Sequence, residues 1–112
     1  MERSSHAEYV ASIRSQAGRL ASAALARQVD LLEACHELSA LLARSDLSPN
    51  DPDAMVFSLI CCETETLPIG AIRAHWAPGA LESAQPEIDS AVMWATPLAL
   101  PAFESVAQRF GA

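Results

Sequence analysis

The stretch over residues 51–62 constrains the fold of this chain more than any other. Asp51 supplies a carboxylate suited to cap a helix, and Pro52 fits the first helical position, where its missing N–H would have no partner anyway. From Ala54 to Cys62 every residue except Ser58 is apolar, which predicts a helix buried on nearly all sides. A strand is the competing interpretation for such a run, and the helix cap decides against it. The sequence therefore predicts a buried central helix over about residues 52–65.

Two helices are predicted before this central one. The first begins at Ser5, because Ser5 and Glu8 have the spacing of a capping box and one apolar stripe follows. Gly18 within it indicates close packing against another helix. The first helix is predicted to end at a break just before Asp30, and a second helix begins with Asp30 as its cap. The alternative interpretation is one bent helix over residues 6–44.

Prolines divide the C-terminal half of the chain. Leu67-Pro68 ends the central helix, because the residue before a proline avoids the helical region. The pattern then predicts, in order, a short helix over 69–76, a turn at Pro78-Gly79, a linker over 80–85, a helix over 86–94 and a last helix from Pro101 to Phe110. Alanine and leucine dominate the apolar residues, and both favour helix. The predicted fold is all-α: a compact bundle of five or six helices forming one domain over residues 1–112.

The distribution of charge excludes several classes of function. The net charge is −7, and all of it lies in residues 45–112, which hold nine acids against Arg73 and Arg109. A basic footprint for nucleic acid is missing, and an acidic surface repels anionic lipid. No apolar run reaches the ~20 residues needed to span a bilayer. The charged N-terminus and the odd count of three cysteines predict a cytoplasmic protein with reduced thiols.

Two groups of residues have the chemistry of metal ligands. Glu33-x-x-His36 has the spacing seen in carboxylate-bridged di-iron bundles, but such sites need a second copy of the motif. Cys35 and the Cys61-Cys62 pair lack the ligand spacing of structural zinc sites. We therefore predict no catalytic residue, no metal site and no cofactor, and interpret these side chains as a polar face and small apolar filler. The alternative is a small metal-binding or enzymatic protein that uses Glu33, Cys35 and His36.

The sequence breaks a local rule at the end of the central helix. Glu63 and Glu65 stand where the helix dipole disfavours negative charge, so a cation should compensate them. One interpretation is a salt bridge to Arg73, just past the proline break. The other is an acidic notch, rimmed by His75 and Trp76, that receives a basic group from a partner. These five residues are the predicted partner-binding site.

A small, acidic, lysine-free helical chain resembles bacterial immunity and antitoxin proteins in size and composition. That resemblance implies a non-enzymatic interaction module, and the acidic C-terminal two-thirds predicts a basic protein as its partner. A structural homo-oligomer that uses apolar surface around residues 92–100 is a further alternative.

Overall fold

A computed structural model describes the backbone of residues 2–111 and the side chains of residues 5–111. It contains four α-helices and one 3₁₀ helix, and the described residues form no strand. The elements are α1 (Glu2–Leu25), α2 (Leu31–Ala43), α3 (Pro52–Thr64), the 3₁₀ helix (Gly70–His75) and α4 (Pro78–Phe110). The prediction of an all-α, single-domain bundle of five or six helices is confirmed.

The break between the first two helices is also confirmed. Arg27 has a φ of 60°, a left-handed conformation that ends the helical path after α1. The side chain of Asp30 then accepts a hydrogen bond from the backbone N–H of Glu33 at 3.0 Å and caps α2. One bent helix over residues 6–44 is therefore wrong.

Helix α3 begins as predicted but is less buried than predicted. Asp51 accepts a hydrogen bond from the N–H of Ala54, and Pro52 opens the helix. Its buried residues form a single stripe: Asp53, Phe57, Ile60 and Thr64. The opposite side carries Met55 and Leu59, which are 55% and 47% exposed. Burial on nearly all sides is therefore wrong, because α3 packs on α2 and α4 and its outer side faces solvent.

The C-terminal third of the chain is one helix where we predicted several elements. Helix α4 has 33 residues and runs without a break through the predicted turn at Pro78-Gly79, the predicted linker over 80–85 and the predicted gap between residues 94 and 101. Pro78 occupies its first turn, and Pro86, Pro97 and Pro101 lie inside it. At about 1.5 Å per residue, α4 is roughly 50 Å long. This matches the longest dimension of the molecule, 51 Å.

The position of the prolines explains why α4 stays continuous. The three internal prolines are all exposed, so each carbonyl left without its helical N–H partner lies toward the solvent side. The opposite side of the helix is buried, through Ala84, Ala95, Ala99, Ala102, Phe103 and Val106. Packing of that side against α1, α2 and α3 stabilises the helix by more than the prolines destabilise it.

Small residues bring α1 and α4 close together. Ala17 and Ala21 of α1 are fully buried, and Gly18 lies against the C-terminal end of α4. A Cβ atom on Gly18 would lie 2.8 Å from the Cα of Gly111 and would also collide with the backbone of Phe110. The predicted close approach at Gly18 is confirmed.

Deeper in the core, the rings of Phe57 and Phe103 stack 5.4 Å apart and join α3 to α4.

An arginine clamp joins the start of α3 to the end of α4. Arg109 contacts Asp51 through Nη2 at 2.8 Å and Asp53 through Nη1 at 2.7 Å. Ser105 donates a further hydrogen bond to Asp53 at 2.6 Å. Both carboxylates are nearly buried, and hydrogen bonding to Arg109 lowers the pKa of Asp51. Asp51 therefore serves two helices at once, as the cap of α3 and as a partner of α4.

We predict that Gly18→Ala destabilises the fold by about 1–3 kcal/mol, the usual cost of overpacking. The added methyl group meets backbone atoms of Phe110 and Gly111, which cannot move aside as a flexible side chain can. Urea denaturation measures the change. Gly79→Ala is the matched control, because nothing lies within 4 Å of its Cβ position, and it should cause no loss. Equal stability of the two variants would contradict the close contact.

We predict that Arg109→Gln lowers the free energy of unfolding by about 2 kcal/mol, less than for a fully buried pair because a third of the arginine side chain is exposed. The wild-type advantage should persist above pH 3.8, the ordinary pKa of Asp51, and disappear as pH falls below it, because Arg109 holds that pKa down. Arg19→Gln is the control, since among the described residues Arg19 bonds only to Ser15, one turn away. Equal losses in the two variants would contradict the clamp.

Candidate functional site

A cleft lies between the C-terminal end of α3 and the first half of α4. Its volume is about 450 Å³. We call it the acidic cleft; it is lined by Glu63, Thr64, Thr66, Leu67, Pro86, Glu87, Ser90, Ala91 and Trp94. Helix α3 supplies one wall, the chain before Pro68 supplies the floor, and successive turns of α4 supply the other wall. The continuity of α4 through Pro86 builds this second wall.

The charge of the cleft is negative on both walls. Glu63 and Glu87 are exposed, and no arginine or histidine is among the lining residues. Within the described part of the chain, neither carboxylate takes part in an ion pair. Glu63 also stands in the last turn of α3, where the helix dipole adds negative potential. Trp94, 41% exposed, provides the apolar surface beside these acids.

The predicted site residues separate into different places in the structure. Glu63 lines the acidic cleft, while Glu65 is exposed at the end of α3. Arg73 donates to the carbonyl of Pro68 at 3.3 Å and lines another cavity, of about 340 Å³, together with Asp30 and Glu33. His75 is exposed and Trp76 is half-buried.

The salt bridge considered for Arg73 is not formed. No ion pair between described residues joins it to Glu63 or Glu65. Gly70 explains the geometry, because its φ of 72° turns the chain into the 3₁₀ helix beside Glu33 of α2. Arg73 thus lies near the start of α2 rather than at the end of α3. His75 and Trp76 do not line the acidic cleft, and their role in partner binding stays a prediction.

Sequence reasoning missed Glu87 and Trp94. The sequence predicted a separate helix over 86–94. Because Trp94 was the last residue of that helix, the prediction did not show whether its side chain faces the core or the solvent. Treated as one helix, the same residues show an apolar stripe through Ala95, Ala99 and Phe103, and Trp94 falls off that stripe. The helical spacing of the apolar residues could therefore have shown that Trp94 lies off the buried stripe. The prolines obscured this spacing because they predicted breaks in the helix.

His36 belongs to a hydrogen-bonded chain that reaches the cleft wall. Its Nε2 lies 2.6 Å from Oγ1 of Thr64, and that hydroxyl donates to the carbonyl of Ile60 at 2.7 Å. Since the hydroxyl proton is used there, His36 must donate through Nε2–H. Burial lowers the pKa of His36, which favours its neutral form. The histidine therefore ties α2 to the end of α3.

Cys35 and Cys61 do not have the properties of a nucleophile. Burial raises the pKa of Cys35 to about 12, so its thiol stays protonated near neutral pH. The pKa of Cys61 is also raised, chiefly by burial. Among the described residues, no group of three or more His, Cys, Asp and Glu side chains could hold a metal ion. Glu33, Cys35 and His36 thus have no further ligands gathered around them.

No protein-family model, curated protein or solved structure matches this chain. The described helices are also too short or too polar to cross a membrane.

We predict that His36 makes stability depend on pH. Because the folded-state pKa lies below the ordinary value of 6.5, the unfolded chain binds a proton first as pH falls. The free energy of unfolding should be at its full value above pH 6.5 and decrease as pH falls below it. Urea denaturation between roughly pH 5 and 8 measures this.

His36→Gln removes the titrating group and should flatten that pH dependence. His75→Gln is the matched control, because His75 is exposed in the 3₁₀ helix. A pH dependence that survives His36→Gln unchanged would contradict the assignment.

Proposed function

We propose that this chain is a non-enzymatic interaction module whose acidic cleft binds a basic segment of a partner protein. The observation that carries the proposal is that one cleft combines the exposed ring of Trp94 with two carboxylates, Glu63 and Glu87, that form no ion pair with the described residues. A bound ligand can stabilise both kinds of group. A carboxylate is stabilised by hydrogen bonds from a cation, and an exposed indole ring is stabilised by packing against a flat or apolar group.

An arginine side chain of the partner can make both interactions at once. Its planar guanidinium can form two parallel hydrogen bonds to a carboxylate, and the same plane stacks on an indole ring. A cleft of about 450 Å³ accommodates one or two long side chains rather than a folded element. We therefore expect an arginine-containing peptide segment, and lysine as a weaker substitute.

The long-range charge of the molecule supports the same class of partner. The excess of acids lies in residues 45–112, which include the whole cleft. Such a field accelerates association with a basic protein and opposes binding to nucleic acid or anionic lipid. The proposal also includes a cytoplasmic location and a role of the bacterial immunity or antitoxin type. What supports that role is the size, the acidity and the absence of lysine.

The absence of an enzymatic role is part of the proposal. The thiol of Cys35 is buried and protonated, and His36 donates its Nε2–H in a hydrogen bond to Thr64. Neither residue lines the acidic cleft. A substrate in the cleft would meet carboxylates, hydroxyls and an indole, which suit recognition better than bond cleavage.

We predict that a short arginine-containing peptide binds the cleft and that reversing both carboxylates, Glu63→Arg with Glu87→Arg, weakens binding at least about tenfold. Titration calorimetry measures the affinity, and in a Trp76→Phe background the fluorescence of Trp94 reports occupancy of the cleft. Raising the salt concentration should weaken wild-type binding, because the carboxylates are exposed.

The matched control reverses two exposed acids of α4 outside the cleft, Glu82→Arg with Glu104→Arg. It changes the net charge by the same amount and leaves the lining intact. Equal losses in the two double variants would show a general charge effect and contradict a specific cleft. Binding that salt does not change would contradict the electrostatic basis.

A further inference from the structure

Helix α4 carries a second apolar stripe, on the side opposite the core. We call it the outer stripe; it consists of Met93, Trp94, Pro97, Leu98, Leu100 and Pro101. Its members recur at intervals of three and four residues, as one face of a helix requires. Met93 is 79% exposed, and Leu98 and Leu100 are 37% and 39% exposed. Over this region α4 is apolar on all sides, a pattern typical of a helix covered on all sides.

Charge is excluded from the same region. Residues 90–103 contain no charged side chain, although acids flank them on both sides at Asp89 and Glu104. The outer stripe is therefore an uncharged strip with polar ends, which is the composition of an interface core with its rim. Isolated exposed apolar residues need no explanation, but a contiguous strip of six does.

We propose that the outer stripe is the interface of a homodimer in which the α4 helices of two copies pack antiparallel. The proposal does not rest on the basic partner proposed for the acidic cleft, although Trp94 belongs to both surfaces. The exposures of the six side chains correspond to roughly 500 Å² per copy, so a pair that covered all of it would bury about 1,000 Å², the lower limit for a specific interface. We therefore expect a weak, concentration-dependent dimer.

A second copy of this chain matches the stripe better than other occupants do. In an antiparallel pair with the two-fold axis near Pro97, Trp94 of each copy packs against Leu100 of the other, and Met93 against Pro101. In this register Glu104 of one copy lies opposite Ser90 of the other and one residue from its Asp89, so acids of both copies meet at each end of the stripe and weaken the pair.

Two further considerations favour this arrangement. The dipoles of antiparallel helices oppose each other, which is favourable side by side. An interface with a two-fold axis uses the same patch on both copies, and a single stripe centred on one residue meets that requirement. A lipid surface is a poor alternative, because acids flank the stripe and the net charge is −7.

The test is the oligomeric state of the full chain by sedimentation at increasing concentration, up to roughly 1 mM, where a low-end interface is measurable. We expect a reversible dimer, and in a Trp76→Phe background the fluorescence of Trp94 should shift to shorter wavelength as the dimer forms. Met93→Glu should raise the dissociation constant at least about 30-fold. A chain that stays monomeric over this range would overturn the proposal.

Met55→Glu is the matched control, because Met55 is also an exposed methionine but lies on α3. It should leave the dimer intact, and an equal loss in both variants would overturn the location. Met93 and Met55 are more than half exposed, so neither substitution should disturb the fold, which urea denaturation checks.

A mixing experiment tests the orientation. Copies with Met93→Glu and copies with Pro101→Lys should each dimerise weakly alone. Mixed together they should regain dimerisation, because antiparallel packing places Glu at position 93 against Lys at position 101. Failure of the mixture to recover would overturn the antiparallel arrangement.

Discussion

Burial of one side of α4 against the other three helices is the interaction on which the rest of this structure depends. It keeps 33 residues helical through three internal prolines, and it places the stacked Phe57 and Phe103 rings at the centre of the core. The arginine clamp adds to it at one end, where Arg109 ties the first turn of α3 to the last turn of α4. Without a continuous α4, the acidic cleft would lack a wall and the outer stripe would not exist.

Local chemistry made most of the N-terminal half of the fold predictable, although α1 begins at Glu2 and not at the predicted Ser5 cap. Asp30 and Asp51 are strong helix caps, and Gly18 indicated a close helix contact, because each acts through neighbouring atoms. The C-terminal third was not predictable in the same way. A proline in a helix has a local cost that sequence reveals, while the packing that offsets it involves residues far along the chain. Breaks were therefore predicted at prolines that the folded chain accommodates on its solvent side.

The candidate site was likewise predictable only in part. Glu63 was identifiable, since an acid in the last turn of a helix conflicts with the dipole. Its neighbours Glu87 and Trp94 were not, because they join it only through the packing of α3 on α4. Arg73 was the expected partner by proximity in sequence, but the positive φ of Gly70 directs that segment toward α2.

The position of Trp94 has a consequence for how the two proposed associations relate. Its ring forms part of the acidic cleft and also part of the outer stripe, so one indole borders both surfaces. A ring packed against a second copy is not available to stack on a guanidinium group. By mass action, self-association would then compete with capture of a basic partner. Raising the concentration of the chain would therefore lower the fraction of copies able to bind a basic partner.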